Sequence, residues 1–178
     1  MEEKKYAVLI DGDNISSKYL DSILNEMTKY GIATYKRIYC DFTSQQSSKW
    51  RRLVRDSGIQ AMQQFANTVG KNATDSTLII DAMDILYTGN VDGFCIVSSD
   101  GDFTRLAIRL KESGMDVIGM GESKTPRSFR AACTVFTDLE ILYEAESEDD
   151  EISTKGKKPA VKHNVVKVSE IENVIIEI

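Results

Sequence analysis

The chain is nearly devoid of histidine. Among its 178 residues the one imidazole is His163, in a polar C-terminal stretch. That argues against Ser-His-Asp and Cys-His catalysis and against zinc sites built on several His. Acid–base or metal chemistry in the body of the chain must come from carboxylates. Cysteine is also scarce. Cys40, Cys95 and Cys133 lie far apart and form no CxxC pair, which indicates neither a disulfide framework nor a zinc ribbon. Reduced thiols fit a cytoplasmic protein. No apolar run approaches the ~18 residues of a membrane span, so no membrane association is expected. Met1–Lys5 leads straight into a strand-like segment, with no signal peptide before it.

What is present is an ordinary globular composition, 42% hydrophobic, with 28 Asp+Glu against 22 Lys+Arg. Residues 1–143 hold 17 basic and 19 acidic side chains, and residues 144–178 hold 5 and 9. Most of the net acidity is therefore a tail feature, and the body is nearly neutral. This length suits one α/β domain with a short appendage.

Tyr6–Ile10 is a short apolar, branched run ending at Asp11, the pattern of a buried strand. Ser16–Tyr30 has helical spacing and is closed by Gly31. Strands follow over Ile32–Asp41 and Gly58–Phe65, separated by a basic helix over Gln45–Ser57. A polar loop over Asn67–Thr74 leads to an apolar helix over Ser76–Thr88. Phe94–Val97 and Met115–Met120 read as strands around a helix at Phe103–Ser113. A short helix at Arg127–Ala132, a strand at Val135–Phe136 and a helical end at Leu139–Tyr143 complete the body. This alternation predicts an α/β fold, a central, mainly parallel sheet with helices on both faces. Ligands in such sheets bind beyond the carboxyl ends of the strands.

Past Tyr143 the composition changes. We expect a domain over residues 1–143, a charged linker over 144–167 and a C-terminal segment over 168–178. In that last segment Ile171, Val174, Ile175 and Ile178 recur at helical spacing. It reads as the start of a further module, as a helix docking on a partner protein or a second copy, or as a tail packed on its own body.

The first carboxylate cluster is Asp11-Gly12-Asp13-Asn14, at the carboxyl end of the first strand; the second is Asp100-Gly101-Asp102, directly after Ser98-Ser99 and the fourth strand. Asp13, Asn14 and Asp102 would also serve as helix-capping residues. A strand–Asp-x-Asp–helix unit occurring twice is harder to assign to capping alone. Doubly wound topology brings two such tips together, so Asp11, Asp100 and Asp102 would converge. Close carboxylates repel unless neutralised, and the usual neutraliser of an all-oxygen site is Mg²⁺ or Mn²⁺. Such ions promote phosphoryl chemistry and need no histidine. Asp75, in the first turn of the apolar helix, is the best further candidate, with a helix-capping role as its competitor. Asp81 and Asp84 read as solvated or structural acids on the same helix.

Taken in order, Leu9-Ile10-Asp11-Gly12-Asp13-Asn14, then Gly70-Lys71 through Thr74-Asp75 with Asp81 behind it, then Val97-Ser98-Ser99-Asp100-Gly101-Asp102-Phe103 resemble the NYN domain. That is a branch of the PIN-like nuclease superfamily that includes bacterial LabA-like proteins. The resemblance covers about residues 5–140. It implies a three-layer PIN-like, Rossmannoid fold and divalent-metal cleavage of RNA, expected to be endonucleolytic. It makes Asp11, Asp75, Asp100 and Asp102 the metal-binding acids and Asn14 a polar helper. The family also contains members with no established activity. The chain has Ser99 where the family often has Gly, and Asp13 where it variably has Glu.

Lys71, beside Asp75, and the loop carrying Lys124 and Arg127 lie at the predicted active edge and are placed to hold a substrate backbone. Lys49, Arg51, Arg52 and Arg55 form the densest basic patch, around Trp50. Exposed, Trp50 would be a stacking platform; the reading we favour puts it in the core. Two other functions stay open: a non-catalytic RNA-binding or scaffold NYN protein, and a haloacid-dehalogenase-like phosphatase, whose nucleophile–acid pair Asp11-Gly12-Asp13 resembles.

Overall fold

The structure is a computed structural model and describes residues 2–65 and 73–155. Its centre is a six-stranded sheet of β1 (Lys5–Asp11), β2 (Ile32–Cys40), β3 (Gln60–Gln63), β4 (Gly93–Val97), β5 (Asp116–Gly121) and β6 (Val135–Asp138). The spatial order is β3-β2-β1-β4-β5-β6, and every pairing is parallel. The chain thus winds outward in one direction from β1, returns to the middle, and winds outward in the other from β4. The reversal falls between β1 and β4, where doubly wound sheets open a crevice beyond the strand tips.

The two middle strands are apolar along their length because both faces are covered. Alternate residues point to opposite sides. Val8 and Ile10 enter one core with Ile38, Cys95, Val97 and Ile118. Ala7 and Leu9 enter the other with Tyr39, Phe94, Ile96 and Val117. The first core is closed by α1 (Leu20–Met27), α2 (Ser48–Ser57) and the first turn of α6 (Leu139–Lys155), through Ile23, Met27, Trp50 and Leu139. The second is closed by α3 (Ala73–Thr88), α4 (Thr104–Glu112) and α5 (Arg127–Ala132), through Leu78, Ala82, Leu106, Leu110 and Phe129. Three layers result, as the strand–helix alternation predicts. Cys40, Cys95 and Cys133 are buried and unpaired. Among the described residues no helix is long and apolar enough to cross a membrane.

Local differences from the sequence reading have physical causes. The helix expected over Ser16–Tyr30 is a 3₁₀ turn at Ser17–Tyr19 followed by α1. Ser16 caps that turn by accepting from the Lys18 amide at 3.5 Å, and a hydroxyl used this way favours a tight turn over a longer α-helix. The third strand shortens to four residues, after Gly58 ends α2 at φ 64° in the left-handed region. The helical end expected at Leu139–Tyr143 runs on to Lys155, through the acidic run Glu144–Glu151. That run has no Pro or Gly before Gly156 and is rich in helix-compatible Glu and Ala. By compactness one unit spans Met1–Glu146 and a second begins at Ser147. Residues 156–178, with His163 and the predicted C-terminal segment, and Gly70 and Lys71 lie outside the described residues.

Candidate active site

Asp11 is the last residue of β1 and is fully buried. Its own carbonyl accepts from the amides of Asn14 and Ile15 at 3.2 and 3.1 Å, so the chain folds back at once. Gly12 permits this close passage: a Cβ there would stand 2.9 Å from the Ile38 side chain. The turn is held from below by Trp50, buried in the core, whose indole N–H donates to the Gly12 carbonyl at 3.0 Å. Trp50 therefore acts as a structural support.

One oxygen of the Asp11 carboxyl, Oδ2, accepts from Asn14 Nδ2 at 2.8 Å and from Ser98 Oγ at 2.7 Å. The other, Oδ1, is buried with no hydrogen-bond partner. Burial pushes the Asp11 carboxyl above the ordinary range, against the hydrogen bonds from Ser98 and Asn14 and together with the charges of Asp13 and Asp100. An orphaned carboxylate oxygen in a closed site is costly. It marks a place for a donor or a cation.

Ser98 and Ser99 follow β4 and join the strand tips. Ser98 Oγ donates to Asp11 and accepts from the Asp100 amide at 3.0 Å. Asp100 then caps the 3₁₀ turn Gly101–Phe103, its Oδ1 accepting from the Asp102 amide at 2.9 Å. Ser99 Oγ accepts from the Glu122 amide at 2.9 Å and so fixes the loop after β5.

Asp75 reaches the same point from the first turn of α3. One oxygen each from Asp75, Asp100 and Asp102 lie within 4.8 Å of one another, with Asp75 buried, Asp100 half-buried and Asp102 exposed. The Asp75 carboxyl is pushed up to about 7, first by burial and then by the charges of Asp11 and Asp100 and a hydrogen bond with Asp100. A carboxyl that holds its proton near neutrality is one that is both buried and set among like charges. Three clustered oxygens, a fourth carboxylate with an unsatisfied oxygen, and no imidazole or thiolate match the preference of Mg²⁺ or Mn²⁺ for oxygen ligands.

The other predicted residues divide. Asn14 neither caps a helix nor stands apart; its amide holds Asp11. Lys124 is exposed on the loop after β5, and Arg127 is exposed at the start of α5. That loop lies against the Asp100–Asp102 turn, since a Cβ on Gly101 would meet Pro126 at 3.2 Å. Arg130 secures it by donating to the carbonyls of Glu122, Ser123 and Thr125 at 3.2, 2.8 and 3.0 Å. Asp81 pairs with Arg37 at 2.5 Å and also accepts from the Tyr39 hydroxyl, tying α3 to β2 away from the cluster.

Sequence reasoning missed four contributors. Ser98 and Ser99 were visible only as neighbours of the acids; their place after a strand was the available signal. Thr74 donates to Asp13 Oδ2 at 2.6 Å and so fastens the start of α3 to the turn after β1. Gly121, the last residue of β5, sits so close that a Cβ would approach the Ser98 carbonyl to 2.6 Å.

Comparison with known proteins gives the family and the fold. The uncharacterized protein MJ0482 of Methanocaldococcus jannaschii is 26% identical over 174 residues, which cover 94% of this chain. The chain spans 66% of that relative's length. A crystal structure of a protein of unknown function from Vibrio parahaemolyticus, VPA0982, superposes with a TM-score of 0.64 at 19% identity, covering 78% of this chain and 96% of the other, and so shares the fold. The family model of the NYN domain matches residues 5–140. This chain belongs to the NYN domain family.

Proposed function

We propose that the protein is a divalent-metal-dependent ribonuclease that hydrolyses RNA phosphodiesters endonucleolytically. The observation that carries this reading is the meeting of Asp75, Asp100 and Asp102 oxygens within 4.8 Å, beside the buried, unpartnered Asp11 Oδ1, in a member of the NYN family.

Asp11, Asp75, Asp100 and Asp102 would hold the cation. Mg²⁺ or Mn²⁺ bound there supplies Lewis acidity, polarising a phosphoryl oxygen and making water a stronger nucleophile at neutral pH. Ser98 and Asn14 keep Asp11 Oδ2 engaged and so aim Oδ1. Burial and the charges of Asp11 and Asp100 favour the protonated Asp75 carboxyl, and a cation held there would favour its deprotonated form by offsetting those charges. Lys124, exposed on the adjacent loop, and Arg127, exposed at the start of α5, hold the substrate backbone. The family match leaves the phosphatase alternative without support.

The test is cleavage of labelled single-stranded RNA with and without Mn²⁺, by wild type and by Asp100→Asn. That variant removes charge while keeping volume, so it should fold and lose cleavage. If Asp100→Asn cuts at the wild-type rate, Asp100 has no role in catalysis. If the wild type binds Mn²⁺ and RNA without cutting, the protein is a non-catalytic RNA-binding member of the family.

A further inference from the structure

A polar path leads away from the carboxylates along the start of α2. It begins at Gly12–Asn14, the turn that follows Asp11, and passes between that turn and the start of α2 as a cavity of ≈ 520 Å³. Ser16, Ser17, Gln45 and Gln46 give it polar walls, together with the charged Asp13 and Lys49. A second cavity of ≈ 440 Å³ continues between the Ser16–Leu20 turn and α2. The two share Ser16, Ser17 and Lys49 and therefore form one groove. Each half falls in the ~300–1,000 Å³ range of pockets that hold small ligands.

The charges sort along this groove. Lys49 stands at the junction, and Lys18 and Arg52 line the outer half; all three are exposed. The acids that face them are Asp13 at the inner end, already hydrogen-bonded by Thr74, and Asp21 at the outer end. Lys18 stands 4.8 Å from the Tyr19 ring and 5.3 Å from the Tyr143 ring, which fixes its position without neutralising it. Arg51 does not contribute, since its guanidinium is spent on the carbonyls of Phe42 and Ser44. Among the described residues the side-chain amides of Gln45 and Gln46 make no hydrogen bond, and both residues are exposed.

We infer that this groove seats a single strand of RNA leaving the carboxylate cluster, with its phosphates on Lys49, Lys18 and Arg52 and its base edges against Gln45 and Gln46. The inference rests on the ribonuclease reading for its direction, from cluster outward. A chain of nucleotide-sized spaces with cations at intervals suits a flexible strand. A duplex is instead read by shape across a broad face. Amides and hydroxyls suit exposed base edges, which offer both donors and acceptors.

The experiment measures binding without catalysis. Fluorescence anisotropy in EDTA, with a labelled oligoribonucleotide of about 12 nucleotides, within the usual ~4–16 for single-strand sites, compares wild type with Lys49→Ala/Arg52→Ala. Arg105→Ala/Lys111→Ala on α4 is the charge-matched control. The groove variant should bind about tenfold or more weakly, and its plot of log affinity against log salt should be shallower by about 1.4, the effect of two lost phosphate contacts. The control should match wild type. Gln45→Ala/Gln46→Ala should change the ranking of oligo-U, oligo-A and oligo-C. Wild-type affinity and salt slope in the groove variant would overturn the inference, as would a wild type that binds no RNA. Failure of the nuclease reading is seen separately, as intact binding with no cleavage when Mn²⁺ is added.

Discussion

Asp75 is where burial and charge act in the same direction. Its carboxyl is pushed up from the ordinary 3.8 to about 7 by burial and by its acidic neighbours, and burial raises Asp11 as well. In the protein held in EDTA, the folded state therefore binds more protons than the unfolded chain between those two values. This contribution to stability is fully present below about pH 3.8 and is lost as pH rises through about 7. The wild-type melting temperature should fall relative to that of Asp75→Asn between about pH 5 and about pH 8. Saturating Mn²⁺ should reverse the trend, because cation binding favours the deprotonated carboxylates. A wild-type and Asp75→Asn pair whose difference is flat with pH would show that neither burial nor neighbouring charge raises the Asp75 carboxyl. Ser98 makes a separate prediction. Its hydroxyl holds the buried Asp11 carboxyl at 2.7 Å, so Ser98→Ala should cost about 1.5–3 kcal/mol of stability in thermal or urea unfolding. It should also weaken Mn²⁺ binding by about 10–100-fold, the usual effect of losing a residue that orients a ligand. Calorimetric titration with Mn²⁺ checks the second part.

Among the elements, β4 and β5 do the positioning, and their tips are in close contact. Gly121 ends β5 where a Cβ would come within 2.6 Å of both the Ser98 carbonyl and Thr125 Oγ1. The Ser98 atom is backbone and moves only if the end of β4 moves. Gly121→Ala should displace Ser98 from Asp11 and reduce RNA cleavage by about 10–100-fold. Gly114 supplies the contrast. It follows α4 at φ 81°, and a methyl group added there would meet nothing within 4 Å. Gly114→Ala strains only the backbone and should lower stability by about 1 kcal/mol while leaving the cleavage rate unchanged. Equal activity in the two variants would show that the β4–β5 contact does not position the site. This difference also explains what was legible in advance. Val8, Ile10, Ile96 and Val97 announce buried strands by local pattern, and Asp11, Asp100 and Asp102 follow from where those strands end. The approach of Gly121 to Ser98, and of Thr74 to Asp13, joins residues 23 and 61 apart in sequence. No local pattern records such a contact; it exists only once the sheet is assembled. The break between Ser16 and Leu20 escaped for the opposite reason, since one hydroxyl cap overrides a helical apolar spacing that continues through it.

At the scale of the whole molecule, both cores draw their buried side chains from residues 6–139. Leu139 is the last of these, fully buried against the first core, and Leu142 packs beside it. Tyr143 meets Tyr19 edge to face with ring centres 5.7 Å apart, and Ser22 donates to Glu146. The start of α6 thus belongs to the compact unit ending at Glu146, and among the described residues beyond it Glu148 and Asp149 contribute no side chain to either core. A chain ending at Asp149 should melt cooperatively within about 3 °C of the full chain, a change of no more than about 1 kcal/mol for a domain of this size. A chain ending at Asp138 should fail to melt cooperatively, because it removes Leu139 together with the rest of α6. Leu139→Ala in the full chain isolates the core term and should cost about 2–5 kcal/mol. If the Asp149 truncation loses its transition while Leu139→Ala keeps it, then residues beyond 149 hold the fold, and the boundary between a self-sufficient domain and its charged extension lies further along the chain.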